Sequence, residues 1–401
     1  MEKDTIAKEQ IPISKVRAHL EILAVSAKLG VTSFGGPIAH LGYFHNEYIR
    51  RRKWLNEQDY ADIVALCQFL PGPASSQVGI AVGIVRAGML GGLTAWLGFT
   101  LPSVIALVLF ALLLQGFDIG SAGWIHGLKV VAVAIVVQAV LGMGQKLAPD
   151  RNRATIAVLV AAVTLLWQTA ISQVLLIGIA GIAGMFLYKN TKIPNTTNLS
   201  IPISRSVGML SLGVFFGLLI LLPSLRQIVH IEWLAMFDSF YRSGSLVFGG
   251  GHVVLPMLER EVVPTGWVSK SDFLAGYGAA QAVPGPLFTF AAYLGTMIGG
   301  VKGAIIATIA IFLPAYLLVV GALPFWHTLR KSAKVQGALV GINAAVVGIL
   351  LAALYNPLWI TAILAPVDFV LATLLFVMLV FWKLPPWVVV ISGAIGGMLI
   401  S

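Results

Sequence analysis

The sequence is poor in charge and in cysteine, and both shortages narrow the class of protein. Charged residues make up 10% of the 401 residues, whereas hydrophobic residues make up 58%. A soluble domain carries about 25% charged residues, so this composition excludes a soluble fold and indicates a polytopic membrane protein. Cys67 is the single cysteine, which excludes an intrachain disulfide framework and a thiolate metal cluster.

Motifs of the common enzyme classes are also missing. The sequence has no Walker or dinucleotide glycine loop, no zinc-ligand spacing and no nucleophile elbow. We therefore predict that the protein is not an enzyme and needs no cofactor or metal. Residues 1–20 have mixed charge and no apolar core, so no cleavable signal peptide is predicted. In a membrane protein the net charge of +10 reports orientation, and no nucleic-acid partner is predicted.

Two Pro-Gly-Pro breaks, Pro71-Gly72-Pro73 and Pro284-Gly285-Pro286, interrupt long apolar runs. Each follows a glutamine, Gln68 or Gln281, by three residues. Proline ends one helix and favours the start of the next, so each break predicts two half-helices. Those around the first break would be about 18 to 20 Å long, too short for a hydrocarbon core of about 30 Å. Helix N-termini at that depth offer free N–H groups and partial positive charge, which predicts an anion site.

The breaks belong to a tandem duplication of about 213 residues. Phe34-Gly35-Gly36 recurs as Phe248-Gly249-Gly250, and Pro102 recurs as Pro314 in the same order along the chain. A stretch rich in Asn, Thr and Pro separates the two copies. The predicted segments are a polar N-terminus (1–20), a first transporter repeat (21–188), a polar linker (189–206), an extra span (207–222) and a second transporter repeat (223–401).

The basic residues in the connections predict how the repeats are oriented. If the Phe-Gly-Gly and Pro-Gly-Pro segments enter and leave on one side, 19 Lys and Arg residues fall on one side and 4 on the other. The positive-inside rule then places the N-terminus in the cytoplasm and the C-terminus outside. We predict an all-α polytopic membrane protein with two inverted-topology repeats, whose broken half-helices meet near the midplane. Broken pairs that span the membrane would also invert the repeats, so re-entrant and spanning pairs remain alternatives.

The candidate substrate ligands cluster around these motifs. Lys28 and Arg242 each precede a Phe-Gly-Gly motif by six residues, and intramembrane cations mark transport pathways or ion pairs. Ser76 and Thr289 occupy matching positions in the first turn after each break. The predicted substrate-binding residues are Lys28, Arg242, Ser75, Ser76, Gln77, Thr289, Gln68, Gln281, Gly35, Gly36, Gly249 and Gly250. The predicted structural breaks are Pro71, Gly72, Pro73, Pro284, Gly285 and Pro286.

Each of these residues also has a structural alternative. Hydroxyls near a helix start cap the helix, glycines permit close helix packing, and Arg242 has Asp238 one turn away as an ion-pair partner. Glu47 and Glu261 match across the repeat and are candidates for coupling or gating, as are His40 and His252. The carboxylates could instead pair with Arg50 or Arg260 at the interface, and either histidine could be structural.

The paired motifs resemble those of the bacterial chromate ion transporter family, in particular its long two-domain members. The resemblance rests on Phe34-Gly35-Gly36-Pro37 with His40, on Arg51-Arg52-Lys53-Trp54-Leu55, on the glutamine and Pro-Gly-Pro pair, and on their second copies. It covers nearly the whole chain. The second copy departs from the first at Gly251, which replaces Pro37, and at Leu287-Phe288, which replaces Ala74-Ser75.

The resemblance implies a secondary transporter in the bacterial cytoplasmic membrane. It would export chromate, or the related dianion sulfate, with the proton motive force as driver, and so confer chromate resistance. The partners would be the oxyanion, protons and the lipid bilayer, and a homo-oligomer is left open. Import of sulfate or a similar oxyanion, and a passive anion channel, remain the alternative functions.

Overall fold

The computed structural model describes residues 15–34, 36–116, 123–167, 169–188, 202–248, 253–329 and 332–400. The described residues form helices and turns, with no strand among them. The helices of the first half are α1 Lys15–Thr32, α2 Gly36–Phe44, a π-helix His45–Arg51, α3 Glu57–Phe69, α4 Ala74–Gly116, α5 Gly123–Leu147, α6 Arg151–Leu166 and α7 Ala170–Leu187. This all-α architecture is the predicted one.

The second half begins with α8, the extra span of the sequence prediction. Its helices are α8 Arg205–Ile228, α9 Glu232–Leu246, α10 Val254–Val262, α11 Lys270–Ala282, α12 Phe290–Ala322, α13 Trp326–Leu329, α14 Ala333–Ala353, α15 Ile360–Ala362, α16 Pro366–Val380 and α17 Pro386–Ile400. Among the described helices, five are long and apolar enough to cross a membrane: Ala74–Gln115, Gly123–Leu147, Arg205–Ile228, Leu287–Phe325 and Ala333–Ala362. The protein is therefore a multi-pass membrane protein.

Both Pro-Gly-Pro motifs break the helix as predicted. α3 ends at Phe69 and α4 begins at Ala74; α11 ends at Ala282, and a 3-10 turn, Leu287–Thr289, leads into α12. The central glycines have φ angles of 114° at Gly72 and 102° at Gly285. Glycine populates this region without a Cβ penalty, so the motif requires it there.

α4 and α12 are each a tight helical hairpin. The backbone leaves helical geometry at Ala87 and Gly88 in α4, and at Gly299 and Gly300 in α12. The two arms of the α4 hairpin meet at Gly83 and Gly91, where a Cβ atom would clash with the facing carbonyl. We call the arms α4a (74–86) and α4b (89–116), and α12a (290–298) and α12b (301–322).

Two ion pairs show that the broken segments of the first half return to the side from which they enter. Glu21, near the start of α1, accepts hydrogen bonds from Arg52 at 3.1 Å and Arg86 at 2.7 Å. Arg52 follows the π-helix and Arg86 ends α4a, so α1 with α2, and α3 with α4a, each return to the same end of the protein. We call this side of the protein end A.

The second half opens at the opposite side, end B. α4b joins the two ends: His19 contacts Thr94 at 3.2 Å near end A, and the amide of Gln115 donates to the Met297 carbonyl at 3.2 Å near end B. The turn of the α12 hairpin lies at end B beside the indole of Trp233. The two repeats are thus inverted with respect to each other, and their breaks lie between the two ends.

The last helices of each repeat pack across the molecule against the other repeat. α5 packs on α17, and α14 packs on α7. Small residues carry both contacts: a Cβ atom on Gly127 would clash with the Gly393 carbonyl, and one on Gly341 with the Ala180 carbonyl. Small residues let helix backbones approach closely within a membrane, where packing replaces the hydrophobic effect.

Candidate functional site

The Pro-Gly-Pro break of each repeat is hydrogen-bonded to the Phe-Gly-Gly segment of the other. The Gly72 N–H donates to the Val247 carbonyl at 2.6 Å, and the Gly285 N–H donates to the Ser33 carbonyl at 2.8 Å. Val247 and Ser33 are the residues immediately before the two phenylalanines of the motifs. We call these contacts the first and second crossover. They hold irregular backbone together in the middle of the fold, where backbone polar groups need internal partners.

The first proline of each break has a carbonyl without a partner in its helix, and the two carbonyls receive their hydrogen bonds from different parts of the chain. In the first, the Gln77 side chain donates to the Pro71 carbonyl at 2.7 Å, within the same hairpin. In the second, the Ser103 hydroxyl of α4b donates to the equivalent Pro284 carbonyl at 2.6 Å. The freed carbonyl of the second break is therefore bound by the first repeat, whereas the freed carbonyl of the first break is bound within its own repeat.

A cavity of about 70 Å³ lies beside the second crossover. It is lined by Ser33, Gly36, Pro37, Ile135, Gln138, Ala280, Gln281, Val283, Gly285, Leu287, Leu379 and Pro386. Two helix starts converge on it: α2 begins at Gly36, and the turn leading into α12 begins at Leu287. Both present the N-terminal end of a half-helix, which carries partial positive charge and free N–H groups.

Polar side chains complete the lining of this cavity. The Ser33 hydroxyl is buried and has no hydrogen-bond partner among the described residues, and neither does the Gln281 amide nitrogen. Gln138 adds a second amide from α5. Buried donors are almost always paired in proteins, so unpaired donors facing a cavity suit a ligand rich in acceptor oxygens. The geometry fits an oxyanion held by neutral donors and helix ends.

The predicted hydroxyls of the first helical turns lie elsewhere. The Thr289 hydroxyl donates to the Pro286 carbonyl at 2.7 Å, a local contact within the 3-10 turn. Ser75 and Ser76 are buried beside the first break, and the Ser76 hydroxyl has no partner within the described ranges. Neither serine contributes to the cavity lining. Gln68, the repeat equivalent of Gln281, lies on an exposed face of α3.

Both predicted cations are paired with the predicted carboxylates. Lys28 lies 2.8 Å from Glu47, and Arg242 lies 2.9 Å from Glu261, at equivalent positions of the two repeats. Arg242 also lies 3.1 Å from Asp238, the ion-pair alternative that the sequence suggested. These pairs link the first helix of each repeat to the segment that follows its Phe-Gly-Gly motif.

The ion pairs of the two repeats differ in the further cations that face their carboxylates. Glu47 is buried and also faces Arg51 at 3.4 Å and Arg52 at 3.2 Å. Asp238 is buried and additionally faces Arg226 of α8 at 3.4 Å. Glu47 and Asp238 are thus each held by at least two cations, which offsets the cost of removing their charge from water, whereas the buried Glu261 faces Arg242.

His40 is buried between aromatic rings, stacked on Phe44 and edge-on to Phe99. Gly35, Gly249, Gly250 and His252 of the sequence prediction lie outside the described residues. Where the chain is described, no group of three or more His, Cys, Asp or Glu side chains is arranged to hold a metal ion.

The half-helices of the two repeats pack differently. A Cβ atom on Gly278 of α11 would clash with the Leu128 carbonyl of α5, so α11 closes tightly on α5. On α3 the corresponding face carries Ala61, Ala65 and Gln68, and all three are exposed. Small and polar residues on a helix in the middle of the fold are typical of a face that packs against another helix or borders a water-filled space. In the structure α11, which leads to end B, therefore packs tightly on α5, whereas this face of α3, which leads to end A, is exposed.

Sequence reasoning missed Ser103 and Gln138. Ser103 directly follows Pro102, a proline matched across the repeats, and its counterpart is Ala315. Gln138 is an isolated amide in an apolar run. Both signals were present, yet neither indicates which distant backbone group or cavity the side chain meets. The site therefore contains two first-repeat residues that no motif identifies.

Comparison with known proteins identifies the family. A family model described as "Chromate transporter" matches residues 20–185 and 234–398, one match in each repeat. The chain is 27% identical to a chromate transport protein of Pseudomonas aeruginosa over 350 residues, which covers 83% of the chain and 79% of that relative. No solved structure matches.

Two further relatives span similar lengths. A probable chromate transport protein of Synechococcus elongatus is 27% identical over 326 residues, 80% of each chain. An uncharacterized transporter of Methanocaldococcus jannaschii is 26% identical over 343 residues, 83% of each chain. Together with the two matched regions, these similarities show that the chain belongs to the chromate transporter family.

Proposed function

We propose that the protein is a secondary transporter that exports chromate across the bacterial cytoplasmic membrane and thereby confers chromate resistance. The observation that carries the proposal is the cavity at the second crossover, where two helix N-termini meet the unpaired donors of Ser33 and Gln281. A tetrahedral dianion offers acceptor oxygens to all of them at once. Sulfate has the same charge and shape and is expected to compete.

The charge distribution supports export from end A. End A collects Glu21 with Arg52 and Arg86 and is the side to which the basic connections belong, so the positive-inside rule supports a cytoplasmic end A. In this proposal the exposed face of α3 admits the anion from the cytoplasm. A membrane potential that is negative inside favours exit of a dianion by about 4 to 5 kcal/mol per 100 mV.

The paired carboxylates offer a route for coupling to protons. In the first repeat Glu47 faces Lys28, Arg51 and Arg52; in the second Glu261 faces Arg242. A proton on Glu47 would release Lys28 toward the anion path, and a proton on Glu261 would weaken the hold on Arg242, which keeps its contact with Asp238. Loss of the proton would restore each pair. In this proposal Lys28 and Arg242 act on the anion through the ion pairs, and the carboxylates carry the coupling protons.

The test is uptake of radiolabelled chromate into inside-out membrane vesicles. Energised vesicles should accumulate chromate, sulfate should compete, and a protonophore should abolish accumulation. Vesicles without the protein give the background. Accumulation no greater than background would contradict the proposal. Downhill flux that ignores the protonophore would indicate a passive anion channel instead.

A further inference from the structure

The inverted repeats place a second polar cluster on the other side of the molecule from the cavity. The correspondence between repeats is fixed by contacts. Gly127 meets Gly393 in one bundle as Gly341 meets Ala180 in the other, so α5 maps onto α14 at 214 residues and α7 onto α17 at 213. Residues of the cavity can therefore be located in the opposite repeat.

Gln173 of α7 occupies the position equivalent to Pro386, which lines the cavity. Gln281 maps onto Gln68 in the same way, and Ile135 maps onto Ile349. Gln173 is thus placed beside the first crossover as Pro386 is placed beside the second. The equivalent region lies toward end B, because the repeats are inverted.

Gln173 is completely buried, and neither its amide nitrogen nor its amide oxygen has a hydrogen-bond partner in the described part of the chain. An amide left unpaired in a membrane protein interior costs free energy. A leucine of similar size would avoid that cost, so the side chain is unfavourable for packing alone. An unpaired buried amide of this kind is suited to binding a ligand.

A second unpaired group lies at the same level. Thr164 of α6 is also buried, and its hydroxyl has no partner in the described ranges. Val160 and Ile177 belong to one apolar cluster, and Thr164 and Gln173 each lie one turn from it, toward the connection between α6 and α7. Two unpaired donors therefore flank the same end of this helix pair.

Arg260 supplies positive charge at this place. Its guanidinium donates to the Thr164 carbonyl at 3.1 Å and to the Thr169 carbonyl at 3.4 Å. Glu259, next in the chain, interacts with both Arg260 and Lys270, so the two cations outnumber the carboxylate. The guanidinium therefore lies at the end of α6 that carries Thr164, beside the connection to α7.

We propose that Thr164, Gln173 and Arg260 form a second anion site that faces end B and takes the same tetrahedral oxyanion. The inference rests on the proposed transport function. In the structure this region is closed, while the cavity at the second crossover lies toward end A. The anion leaves the first site and reaches the second when the packing of α3 and α11 is exchanged between the repeats.

The test compares transport from the two sides of the membrane. Q173L removes both amide groups at nearly constant size, and Q138L does the same in the end A cavity. With radiolabelled chromate in right-side-out and inside-out vesicles, Q173L should raise the KM at end B about tenfold or more, since hydrogen bonds to charged groups are strong. Its KM at end A should stay within twofold of wild type, and Q138L should show the reverse pattern.

Two further variants keep the test decisive. T164V removes the second donor without a change in size and should also raise the KM at end B, even if Q173L fails to accumulate. Q173E places a negative charge in the site and should impair transport more than Q173L does. Wild-type KM values from both sides in Q173L and T164V would overturn the inference while leaving the transport function intact. No chromate flux in wild type would overturn both.

Discussion

The hydroxyl of Ser103 donates a 2.6 Å hydrogen bond to the carbonyl of Pro284. The second Pro-Gly-Pro break leaves that carbonyl without a hydrogen-bond partner in its own helix. Ser103 belongs to the other repeat. Its repeat equivalent, Pro71, receives its hydrogen bond from Gln77 of its own hairpin. The Ser103 side chain thus ties the break beside the cavity to α4b of the other repeat.

We expect S103A to weaken chromate binding. The substitution leaves the part-buried Pro284 carbonyl without this partner, which costs up to about 1 to 3 kcal/mol, and it loosens the segment that contains Gly285. The expected result is a KM raised about 5- to 20-fold with a smaller change in kcat. S103T, which keeps the hydroxyl, should restore the wild-type KM.

Ser245 provides the matched control for S103A. Its hydroxyl is buried and donates to the Tyr241 carbonyl one turn away within its own helix. S245A should therefore leave KM within about twofold of wild type. Equal KM values in S103A and wild type would show that the hydroxyl does not position the cavity wall.

We expect G285A to be more harmful than G72A. Both glycines have positive φ angles, where a Cβ atom costs about 1 kcal/mol or more. At Gly285 the Cβ would also clash with the Ser103 hydroxyl, whereas at Gly72 the nearest atom is the flexible Gln77 amide at 3.1 Å. The check is the thermal unfolding temperature of the purified variants.

A double-mutant cycle separates the backbone strain at position 285 from the clash with the Ser103 hydroxyl. G285A combined with S103A should recover part of the loss caused by G285A alone, since the second substitution removes the clashing oxygen. Strict additivity of the two changes in unfolding temperature would argue against the contact.

We expect E47Q and E261Q to uncouple transport from protons. Either change removes a group that can carry a proton; E47Q also leaves Lys28 without its carboxylate, whereas Arg242 keeps Asp238 in E261Q. Both variants should still move chromate down its gradient, but a pH gradient should no longer accelerate the flux. The measurement is chromate flux in proteoliposomes with and without an imposed pH gradient. Wild-type acceleration in both variants would exclude these carboxylates from coupling.

We expect α3 to close on α14 during transport, as α11 closes on α5 in the structure. The contact between Gly278 and Leu128 corresponds to Ala65 and Ile342 in the other repeat. Cysteines at positions 65 and 342, in a chain with C67S, should form a disulfide in membranes during chromate turnover and much less without substrate. The two single-cysteine chains are the controls. No disulfide under turnover would refute this exchange of packing.

Local signals in the sequence were sufficient to predict the broken helices and the duplication. Proline chemistry ends α3 and α11 where predicted, and the cap residues Asn56 and Ser269 accept hydrogen bonds from the backbone at Asp59 and Asp272. These features depend on neighbours within a few residues, so a single sequence is enough to place them.

Contacts between residues far apart in the sequence could not be predicted from such local signals. The sequence indicated Lys28, Glu47, Arg242 and Glu261 as separate candidates, and the fold joins them into pairs. Likewise, nothing local shows that the Gly285 break meets Ser33 of the other repeat. Helix periodicity describes which face a residue occupies, whereas partners across repeats depend on how whole helices pack.

The most direct test of the account is chromate binding by the purified protein, measured by equilibrium dialysis with wild type, Q281L and Q115L. Gln281 supplies an unpaired donor at the cavity, whereas Gln115 bonds to a distant carbonyl near end B. We predict that sulfate displaces chromate from wild type, that Q281L weakens binding at least tenfold, and that Q115L binds as wild type does. Wild-type affinity in Q281L would contradict the claim that this cavity holds the anion.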